Sequence, residues 1–451
     1  MTSSPLVAGV DMATAEVRVT VVDAAGRVMG TAASPLVAPV HPRPGWSEQD
    51  ATTWWPVVAR SLREATAGLD GQVVAVSVAA TSGTVVVADR TGEPTGPALL
   101  YDDRRAPPQQ RWRWLVDRAD APGRAAYAWH APDLVVYRLT GEAPPTDWSH
   151  ALKSGFDPGL GDWTADAPRP ARRPHVLAPA SPAGAVSDAA ASETGLSPGC
   201  QVRLGMTDGC AAQLAAGADR PGRFVTVLGT TMVVKGSTGT RLDDGPSGIY
   251  SHRHPDGWWL PGGASNTGGG SLAHRFPRRD LAGLDRRATE RGPATVTCYP
   301  ASGQGERFPF VTADAAEVWT GSPVDEVDAY RAVMEGVAFV ERLGYERLRE
   351  LGATVEAPLR SAGGGSRSHA WTAIRATVLD MAIVRPPSAA TAFGACILAA
   401  AGTLHPDLRA ATDAMVGRAG PPVGPVEGER SRLDDSYRRF VEALVEKGWL
   451  P

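Results

Sequence analysis

One carboxylate, Asp208, lies in a run of small and apolar residues, LGMTDGCAAQLAAGA, at positions 204 to 218. An aspartate at the start of a helix most often serves as an N-cap, because its carboxylate accepts the first N–H groups. The neighbours of Asp208 offer few competing charges and little bulk, so a substrate hydroxyl can approach it as it would approach a general base. The two roles are compatible if one oxygen caps the helix while the other faces a substrate.

A second aspartate, Asp11, ends an apolar run and precedes a turn in VAGVDMATAEVRV. The hydroxyl of Thr14 and the backbone N–H groups of such a turn can face phosphate oxygens. The functional interpretation is a nucleotide or metal–water site, and the alternative is an aspartate that only forms the turn.

Glycine turns recur at two later positions in the chain. Gly229-Thr230 lies between two β-branched runs, and Gly363-Gly364-Gly365 precedes a helix pattern. Because glycine has no side chain, the backbone can come close to a ligand there, and a helix N-terminus favours an anion. Together with the turn at Thr14, these segments predict three backbone approaches to a nucleotide.

Hydroxyl groups also follow the buried strand pattern VVAVSVA at 73–79. Thr81, Ser82 and Gly83 stand where the carboxyl end of a strand meets a turn, which is where α/β sheets bind ligands. A serine/threonine turn that only leads into the next strand explains the same residues equally well.

The elements that must position these residues alternate between strands and helices. Strand–turn–strand patterns occur at 7–30 and again at 222–239, and a helix with Trp54, Val58 and Leu62 on one face follows Asp50. Further helices are predicted at 327–352 and 390–403, whereas 165–200 is predicted to be irregular. The pattern predicts an α/β fold, and the spacing of about 215 residues between the two strand–turn–strand patterns suggests two similar domains.

Composition narrows the function class. The chain has 451 residues, 43% of them hydrophobic, and a net charge of −4, so two globular domains are expected and nothing favours nucleic acid. With no leader pattern and no apolar stretch of about 18 residues, we expect a cytoplasmic protein without a membrane partner. The four cysteines show no zinc or disulfide spacing, and none of the three lysines lies in a phosphate-loop motif.

Taken in order, the motifs resemble those of the FGGY carbohydrate kinases. The matching segments are GVDMAT, GWSEQD, TSGT, PALLYDDRRA, GMTDGCAAQLAAGA, GTT, GGGSRS and FGACILAAAGT. The resemblance implies an α/β fold of two similar actin-like, ribonuclease H-like ATPase domains with an interdomain cleft. It also implies an N-terminal sugar-binding domain over 1–218, which holds the catalytic aspartate, and a C-terminal ATP-binding domain over 219–451.

The resemblance further implies a role for each candidate residue. Asp208 would be the catalytic base and a sugar ligand, and Asp11 would bind Mg²⁺ through water and approach the sugar. The remaining ligands implied are Thr81, Ser82 and Gly83 for the sugar, Thr14, Gly229 and Thr230 for the phosphates of ATP, and Gly363, Gly364 and Gly365 for its adenosine. The expected partners are therefore a small sugar, ATP and Mg²⁺, and a homodimer stays open.

Three segments, YDDRRA, TDWSHALKSGFDP and WWLPGGASNTGGG, are similar to the D-ribulokinases of plants and cyanobacteria, which are often labelled xylulokinases. The predicted activity is transfer of the γ-phosphate of ATP to the terminal hydroxyl of D-ribulose. D-xylulose or another ketose or polyol is the alternative substrate, and a non-catalytic nucleotide switch is the alternative from another class. An oxidoreductase fits poorly, because GGASNTGGG lacks the spacing of a dinucleotide loop.

The first phosphate turn departs from the family pattern at two positions. Ala13 and Ala15 stand where the family has a glycine and a second hydroxyl residue. If residue 13 requires a positive φ, alanine costs on the order of 1 kcal/mol there. The missing hydroxyl removes one phosphate contact, so weaker use of ATP is expected.

Overall fold

The computed structural model describes residues 4–118, 124–169 and 171–451, which form two compact units. The first unit comprises Met1–Ala215, His252–Gly257 and Ala389–Gly417, and the second comprises Ala216–Ser251, Trp258–Ser388 and Arg418–Pro451. The predicted boundary after residue 218 lies near the end of the first long segment. Residues 389–417, which were expected in the C-terminal domain, pack instead with the first unit.

The strands of the first long segment are β1 (Leu6–Met12), β2 (Glu16–Val22), β3 (Val28–Pro35), β4 (Glu48–Gln49), β5 (Val73–Ala80), β6 (Val85–Ala88), β7 (Ala98–Leu99), β8 (Tyr127–His130), β9 (Thr146–Asp147), β10 (Phe156–Asp157), β11 (Asp162–Trp163), β12 (Val176–Leu177), β13 (Pro182–Ala185) and β14 (Gln201–Thr207). Those that follow are β15 (Phe224–Leu228), β16 (Met232–Gly236), β17 (Tyr250–Arg253), β18 (Trp259–Ser265), β19 (Cys298–Tyr299), β20 (Val318–Trp319), β21 (Leu359–Ala362) and β22 (Ile383–Val384).

The α-helices are α1 (Trp54–Thr66), α2 (Arg111–Asp117), α3 (Ala131–Thr140), α4 (Trp148–Ala151), α5 (Asp188–Thr194), α6 (Asp208–Ala215), α7 (Gly269–Arg275), α8 (Leu281–Arg291), α9 (Glu326–Glu350), α10 (His369–Leu379), α11 (Thr391–Ala400), α12 (Leu408–Met415) and α13 (Arg430–Glu446). In the described part of the chain, none of these helices combines the length and the apolar character that a membrane span needs.

The main sheet of the first unit has the strand order β13-β14-β5-β1-β2-β3. Strands β1, β2 and β3 form the antiparallel meander that the sequence predicted, while β5 pairs parallel with both β1 and β14. The register places Asp11 beside Ala79 and Thr207 beside Ala80. Because parallel strands end at the same edge of a sheet, the residues that follow β1, β5 and β14 lie next to one another.

The main sheet of the second unit repeats this arrangement in the order β17-β18-β16-β15-β21-β22. Strands β15, β16 and β18 form an antiparallel meander, and β21 and β22 continue the sheet in parallel from β15. The meander followed by two parallel strands therefore occurs twice in the chain. This confirms the prediction of two similar α/β domains from the repeated strand–turn–strand pattern.

Small residues explain why a late segment joins the first unit. Helix α11 is buried along most of its length and packs on β1 and α6. A Cβ atom on Gly9 would overlap the carbonyl oxygen of Ala392, and one on Gly394 would overlap that of Ala211. Such close approaches are available only where glycine removes the side chain. The small residues of LGMTDGCAAQLAAGA thus allow close helix packing.

Two local predictions need correction. The segment 165–200 was expected to be irregular, but it contains β12, β13 and α5, the last with its N-cap at Ser187. Elements this short give too few repeats for a periodicity to show. The glycines at 363–365 lead into a 3-10 turn over Gly364–Arg367, and the α-helix α10 begins only at His369, capped by Ser368.

Candidate active site

Asp11 lies near the end of β1 with its side chain only 5% exposed. One carboxylate oxygen, Oδ2, accepts a hydrogen bond from Nη1 of Arg18 at 3.1 Å. The other oxygen, Oδ1, is buried and has no hydrogen-bond partner among the residues that the structure describes. Burial raises the pKa of Asp11 to about 6, opposed by Arg18 and reinforced by the charge of Asp208. A buried carboxylate oxygen of this kind is available to a ligand, an ion or an ordered water.

Asp208 begins α6 directly after β14 and is half-buried. Its Oδ1 accepts the N–H of Gly209 at 2.6 Å. Its charge raises the pKa of Asp11, so the two carboxylates are close enough to act on each other. The glycine three residues earlier, Gly205, is required by packing, since a Cβ atom there would overlap the carbonyl oxygen of Val78 on β5.

The turn Thr81–Gly83 follows β5, the strand between β1 and β14. Gly83 has a φ of +90°, which favours glycine, and its carbonyl accepts Nη1 of Arg111 at 2.7 Å. Nζ of Lys153 lies 3.4 Å from the carbonyl oxygen of Ser82. The hydroxyl of Ser82 is buried and has no partner among the described residues. The turn is thus fixed through its carbonyl groups while one hydroxyl is left for a ligand.

Three neighbouring parallel strands therefore bring Asp11, Ser82 and Asp208 to one edge of the first sheet. Two carboxylates and a hydroxyl at such an edge can accept hydrogen bonds from sugar hydroxyls. Within the described residues, no group of three or more His, Cys, Asp or Glu side chains could hold a metal ion. Mg²⁺ needs no such group, because it is commonly held by one or two carboxylates together with substrate phosphates. The unsatisfied oxygen of Asp11 fits that requirement.

The turn between β1 and β2, which was predicted to face phosphate, is not strained at Ala13. Among the described residues, positive φ angles in residues other than glycine occur at Ala180, Arg278 and Asp380, so the cost expected for alanine at position 13 does not arise. The N–H of Ala13 donates to the carbonyl of Glu16 at 3.1 Å and closes the turn. Thr14 is half-buried in this turn, and its carbonyl accepts Nε2 of Gln49 at 3.1 Å.

The turn between β15 and β16 holds Gly229 and Thr230 at the edge of the second sheet. The N–H of Gly269 donates to the carbonyl of Gly229 at 2.7 Å, and the N–H of Gly270 donates to that of Thr230 at 2.9 Å. A Cβ atom on Gly268 would lie 2.7 Å from the Thr230 carbonyl oxygen. The glycines of the segment 268–270 thus pack closely against the turn, and the N–H groups of Gly269 and Gly270 bind its carbonyl groups.

Gly363 lies against the same turn. Its φ is +85°, and a Cβ atom on it would lie 2.5 Å from the carbonyl oxygen of Leu228, the residue before Gly229. A Cβ atom on Gly365 would meet the side chain of Leu228 at 2.5 Å, whereas one on Gly364 would meet nothing within 4 Å. The second unit therefore brings the two predicted glycine turns together, with Gly364 facing open space.

A buried carboxylate that the sequence did not single out supports this region. Glu306 accepts hydrogen bonds from the hydroxyl of Ser265 at 2.8 Å, the N–H of Asn266 at 2.7 Å and the hydroxyl of Tyr299 at 2.9 Å. These bonds fix the end of β18, which leads into the glycine segment at 268–270. No spacing pattern marks Glu306, because its partners come from distant parts of the sequence.

A second group that the sequence did not single out lies beside Asp208. Asp147, Ser149 and His150 belong to TDWSHALKSGFDP, which entered only as part of a resemblance. Asp147 is the N-cap of α4, and Ser149 accepts the N–H of Thr207, the residue before Asp208. Asp147 stands two positions before Ser149 and three before His150, which is the spacing of a helix N-cap. This pattern could have located the turn.

The duplicated sheet, with paired carboxylates at the edge of one copy and glycine turns at the edge of the other, is typical of the actin-like ATPase fold. The model of the FGGY carbohydrate kinase N-terminal domain matches residues 6–113, and that of the C-terminal domain matches residues 224–403. The chain belongs to the FGGY family of carbohydrate kinases. It is therefore a sugar kinase, from a family that uses ATP as its substrate.

Similar proteins agree with this assignment. The chain is 30% identical to the xylulose kinase of Streptomyces rubiginosus over 98% of both chains. It is also 30% identical to the xylulose kinase of Streptomyces coelicolor over 81% of both. A crystal structure of xylulose kinase from Rhodospirillum rubrum, 26% identical, superposes with a TM-score of 0.86 over 98% of both chains. The predicted family, fold class and enzyme class are confirmed. The chain is therefore assigned as an enzyme rather than as a non-catalytic nucleotide switch.

Proposed function

We propose that this kinase transfers the γ-phosphate of ATP to the terminal hydroxyl of a ketopentose, with Asp208 as the base. The observation that supports this most directly is the edge formed by β1, β5 and β14. It carries two mutually interacting carboxylates, Asp11 and Asp208, and two buried oxygens without partners, on Asp11 and Ser82. A polyhydroxy compound supplies the hydroxyl donors that such acceptors need.

The proposed base acts on the hydroxyl that attacks the phosphorus. Asp208 accepts the hydroxyl proton as the oxygen–phosphorus bond forms, and ADP leaves with the bond between the γ-phosphorus and its bridging oxygen broken. Phosphoryl transfer depends mainly on position and charge stabilisation, so one well-placed carboxylate suffices as the base. The hydrogen bond from Gly209 to Asp208 holds one oxygen, which leaves the other for the substrate. Thr81, Ser82 and Gly83 line the sugar site in this proposal.

The nucleotide ligands are assigned by the same reasoning. In this proposal Thr14, Gly229 and Thr230 are phosphate ligands, and Gly363, Gly364 and Gly365 are adenosine ligands. Asp11 would hold Mg²⁺ through water, and the bound ion would supply positive charge that offsets the negative charge of the transferring phosphoryl group. Support comes from the unsatisfied oxygen of Asp11 and from the absence of side chains at the glycine turns.

Two ketopentoses compete as the substrate. The YDDRRA, TDWSHALKSGFDP and WWLPGGASNTGGG segments favour D-ribulose, whereas the names of the similar proteins favour D-xylulose. The two sugars have the same terminal hydroxyl and differ only in configuration at C3. Asp208 therefore serves either sugar, and the residues that face the C3 hydroxyl decide between them.

The experiment is a panel of kcat/KM values for ADP release with Mg²⁺-ATP and D-ribulose, D-xylulose, L-xylulose, D-fructose or glycerol. We expect a ketopentose to exceed fructose and glycerol by at least about 100-fold, because a site built for particular hydroxyls rejects compounds that leave them unpaired. A preference for glycerol or a hexose would contradict the proposal. The ratio of D-ribulose to D-xylulose identifies the sugar, and Asp208→Ala serves as the inactive control.

A further inference from the structure

A buried polar cluster lies beneath the ends of β5 and β14. We define it as Asp147, Ser149 and His150, all of which are fully or almost fully buried. Oδ1 of Asp147 accepts the hydroxyl of Ser149 at 2.5 Å and the N–H of His150 at 3.1 Å. Oδ2 of Asp147 accepts Nδ1 of His150 at 2.5 Å. The carboxylate thus binds the side chain of Ser149 through Oδ1 and the imidazole of His150 through Oδ2.

The contacts of His150 in this cluster favour its positively charged form. Its Nδ1 faces the carboxylate of Asp147, and its Nε2 faces the carbonyl oxygen of Ala80 at 3.2 Å. Both partners are acceptors, so both ring nitrogens must be donors, which only the imidazolium allows. Burial alone would lower the pKa of His150, but the charge and hydrogen bond of Asp147, together with the charge of Asp133 and the Ala80 carbonyl, raise it overall. The ion pair therefore ties the turn Asp147–His150 to the last residue of β5.

Ser149 makes the corresponding link to β14. Its Oγ accepts the N–H of Thr207, the last residue of β14, at 2.9 Å. The pairing between β14 and β5 is irregular between Leu204 and Thr207, and it resumes at Thr207 beside Ala80. Because the hydroxyl of Ser149 donates to Asp147, its lone pairs point away from that carboxylate and accept the Thr207 N–H. The backbone just before Asp208 is therefore held by a side chain.

We propose that Asp147, Ser149 and His150 are positioning residues that fix the base Asp208 and the sugar turn Thr81–Gly83 relative to each other. His150 fixes the residue before the turn, and Ser149 fixes the residue before the base. One carboxylate, Asp147, orients both. This inference rests on the proposed role of Asp208 as the base. A displacement of about 1 Å in such a group can cost about 100-fold in rate.

Ser149 is the residue to vary. Truncating Asp147 or His150 would leave a buried charge without its partner, and either variant would threaten folding. Ser149→Ala removes one hydroxyl and no charge, and Ser149→Thr restores the hydroxyl. The matched control is Ser154→Ala, because the Ser154 hydroxyl is also buried and bonds Nε2 of His130 at 3.0 Å.

The readouts are kcat, KM for the preferred sugar, KM for ATP and the thermal midpoint. For Ser149→Ala we expect kcat to fall roughly 10- to 100-fold, with KM for ATP and the thermal midpoint close to those of Ser154→Ala. Ser149→Thr should recover most of kcat. The inference is overturned if kcat of Ser149→Ala stays within about twofold of the control, or if a folded Ser149→Thr protein remains as slow as Ser149→Ala.

A crystal structure of each variant separates this inference from the proposed function. If the native enzyme phosphorylates no ketopentose, the proposed function fails, and the positions of Thr207 and Asp208 become the readout. Displacement of these residues in Ser149→Ala but not in Ser154→Ala supports the positioning role. Unmoved residues in Ser149→Ala overturn it.

Discussion

Replacing Asp11 by asparagine should stabilise the free protein while it disables the enzyme. Burial raises the pKa of Asp11 from 3.8 to about 6, so the ionised carboxylate costs the folded state free energy at neutral pH. At about 1.36 kcal/mol for each tenfold change in proton affinity, this cost is about 3 kcal/mol. Asparagine keeps the shape without the charge, and Arg18 retains its ion pair with Glu16 at 2.7 Å. We expect Asp11→Asn to gain up to about 3 kcal/mol.

The pH dependence of this gain has a definite sign. Because the folded pKa of Asp11 lies above the unfolded value, the folded state binds the proton more tightly between these values. Native stability therefore falls as pH rises through about 4 to 6, whereas the variant lacks this contribution. The stability difference should vanish below about pH 4, reach about half at pH 5 and be complete by about pH 8.

The assay is urea unfolding of both proteins, without nucleotide, at about pH 5 and pH 8. The same preparations are then tested for sugar-dependent ADP release, which Asp11→Asn should lose. If the variant is no more stable than the native protein at pH 8, the burial cost assigned to Asp11 is wrong. A gain that does not shrink at pH 5 would show that the carboxylate charge is not its source.

Three further substitutions test other parts of the site. Gly363→Ala places a Cβ atom 2.5 Å from the Leu228 carbonyl oxygen at a residue whose φ is +85°. We therefore expect the Kd for ATP, measured by equilibrium dialysis, to rise at least about tenfold. Unchanged ATP binding would contradict the packing argument. Ser82→Ala should raise KM for the sugar about 5- to 20-fold at constant KM for ATP, since one hydrogen bond is lost; equal changes in both constants would place Ser82 elsewhere. Glu306→Gln replaces a carboxylate that accepts several hydrogen bonds by an amide, whose NH₂ group would face those donors. KM for ATP should therefore rise severalfold, with little change in KM for the sugar. A rise in KM for the sugar alone would refute the link between Glu306 and the glycine segment at 268–270.

The sequence predicted the parts of the fold that depend on local pattern. The meander at 7–30 and its repeat at 222–239 were predicted from alternating apolar runs around tight turns. Helix α9 was predicted from its spacing of apolar residues. The pattern could not predict that residues 389–417 pack in the first unit. This packing depends on close contacts between residues far apart in sequence, such as Gly9 with the backbone of Ala392 and Gly394 with that of Ala211.

The candidate site was predictable to a similar extent. Strand ends and turn residues located Asp11, Ser82 and Asp208, since the carboxyl ends of parallel strands gather at one edge. The hydrogen bonds that hold them did not follow from sequence. Ser149 and Thr207 are 58 positions apart, and Glu306 lies about 40 positions from Ser265 and Asn266, so only the folded chain brings them together. The prediction of backbone strain at Ala13 was wrong, because the turn adopts no positive φ at that residue.

The most direct test of the central claim compares native protein with Asp208→Asn in single-turnover ADP formation, at saturating Mg²⁺-ATP and saturating preferred ketopentose. Asparagine keeps the size of the side chain but cannot take the hydroxyl proton. If Asp208 is the base, the sugar-dependent rate constant falls about 10²- to 10⁴-fold while the Kd for ATP stays within about threefold of native. A rate constant within about tenfold of the native value would contradict the role of Asp208.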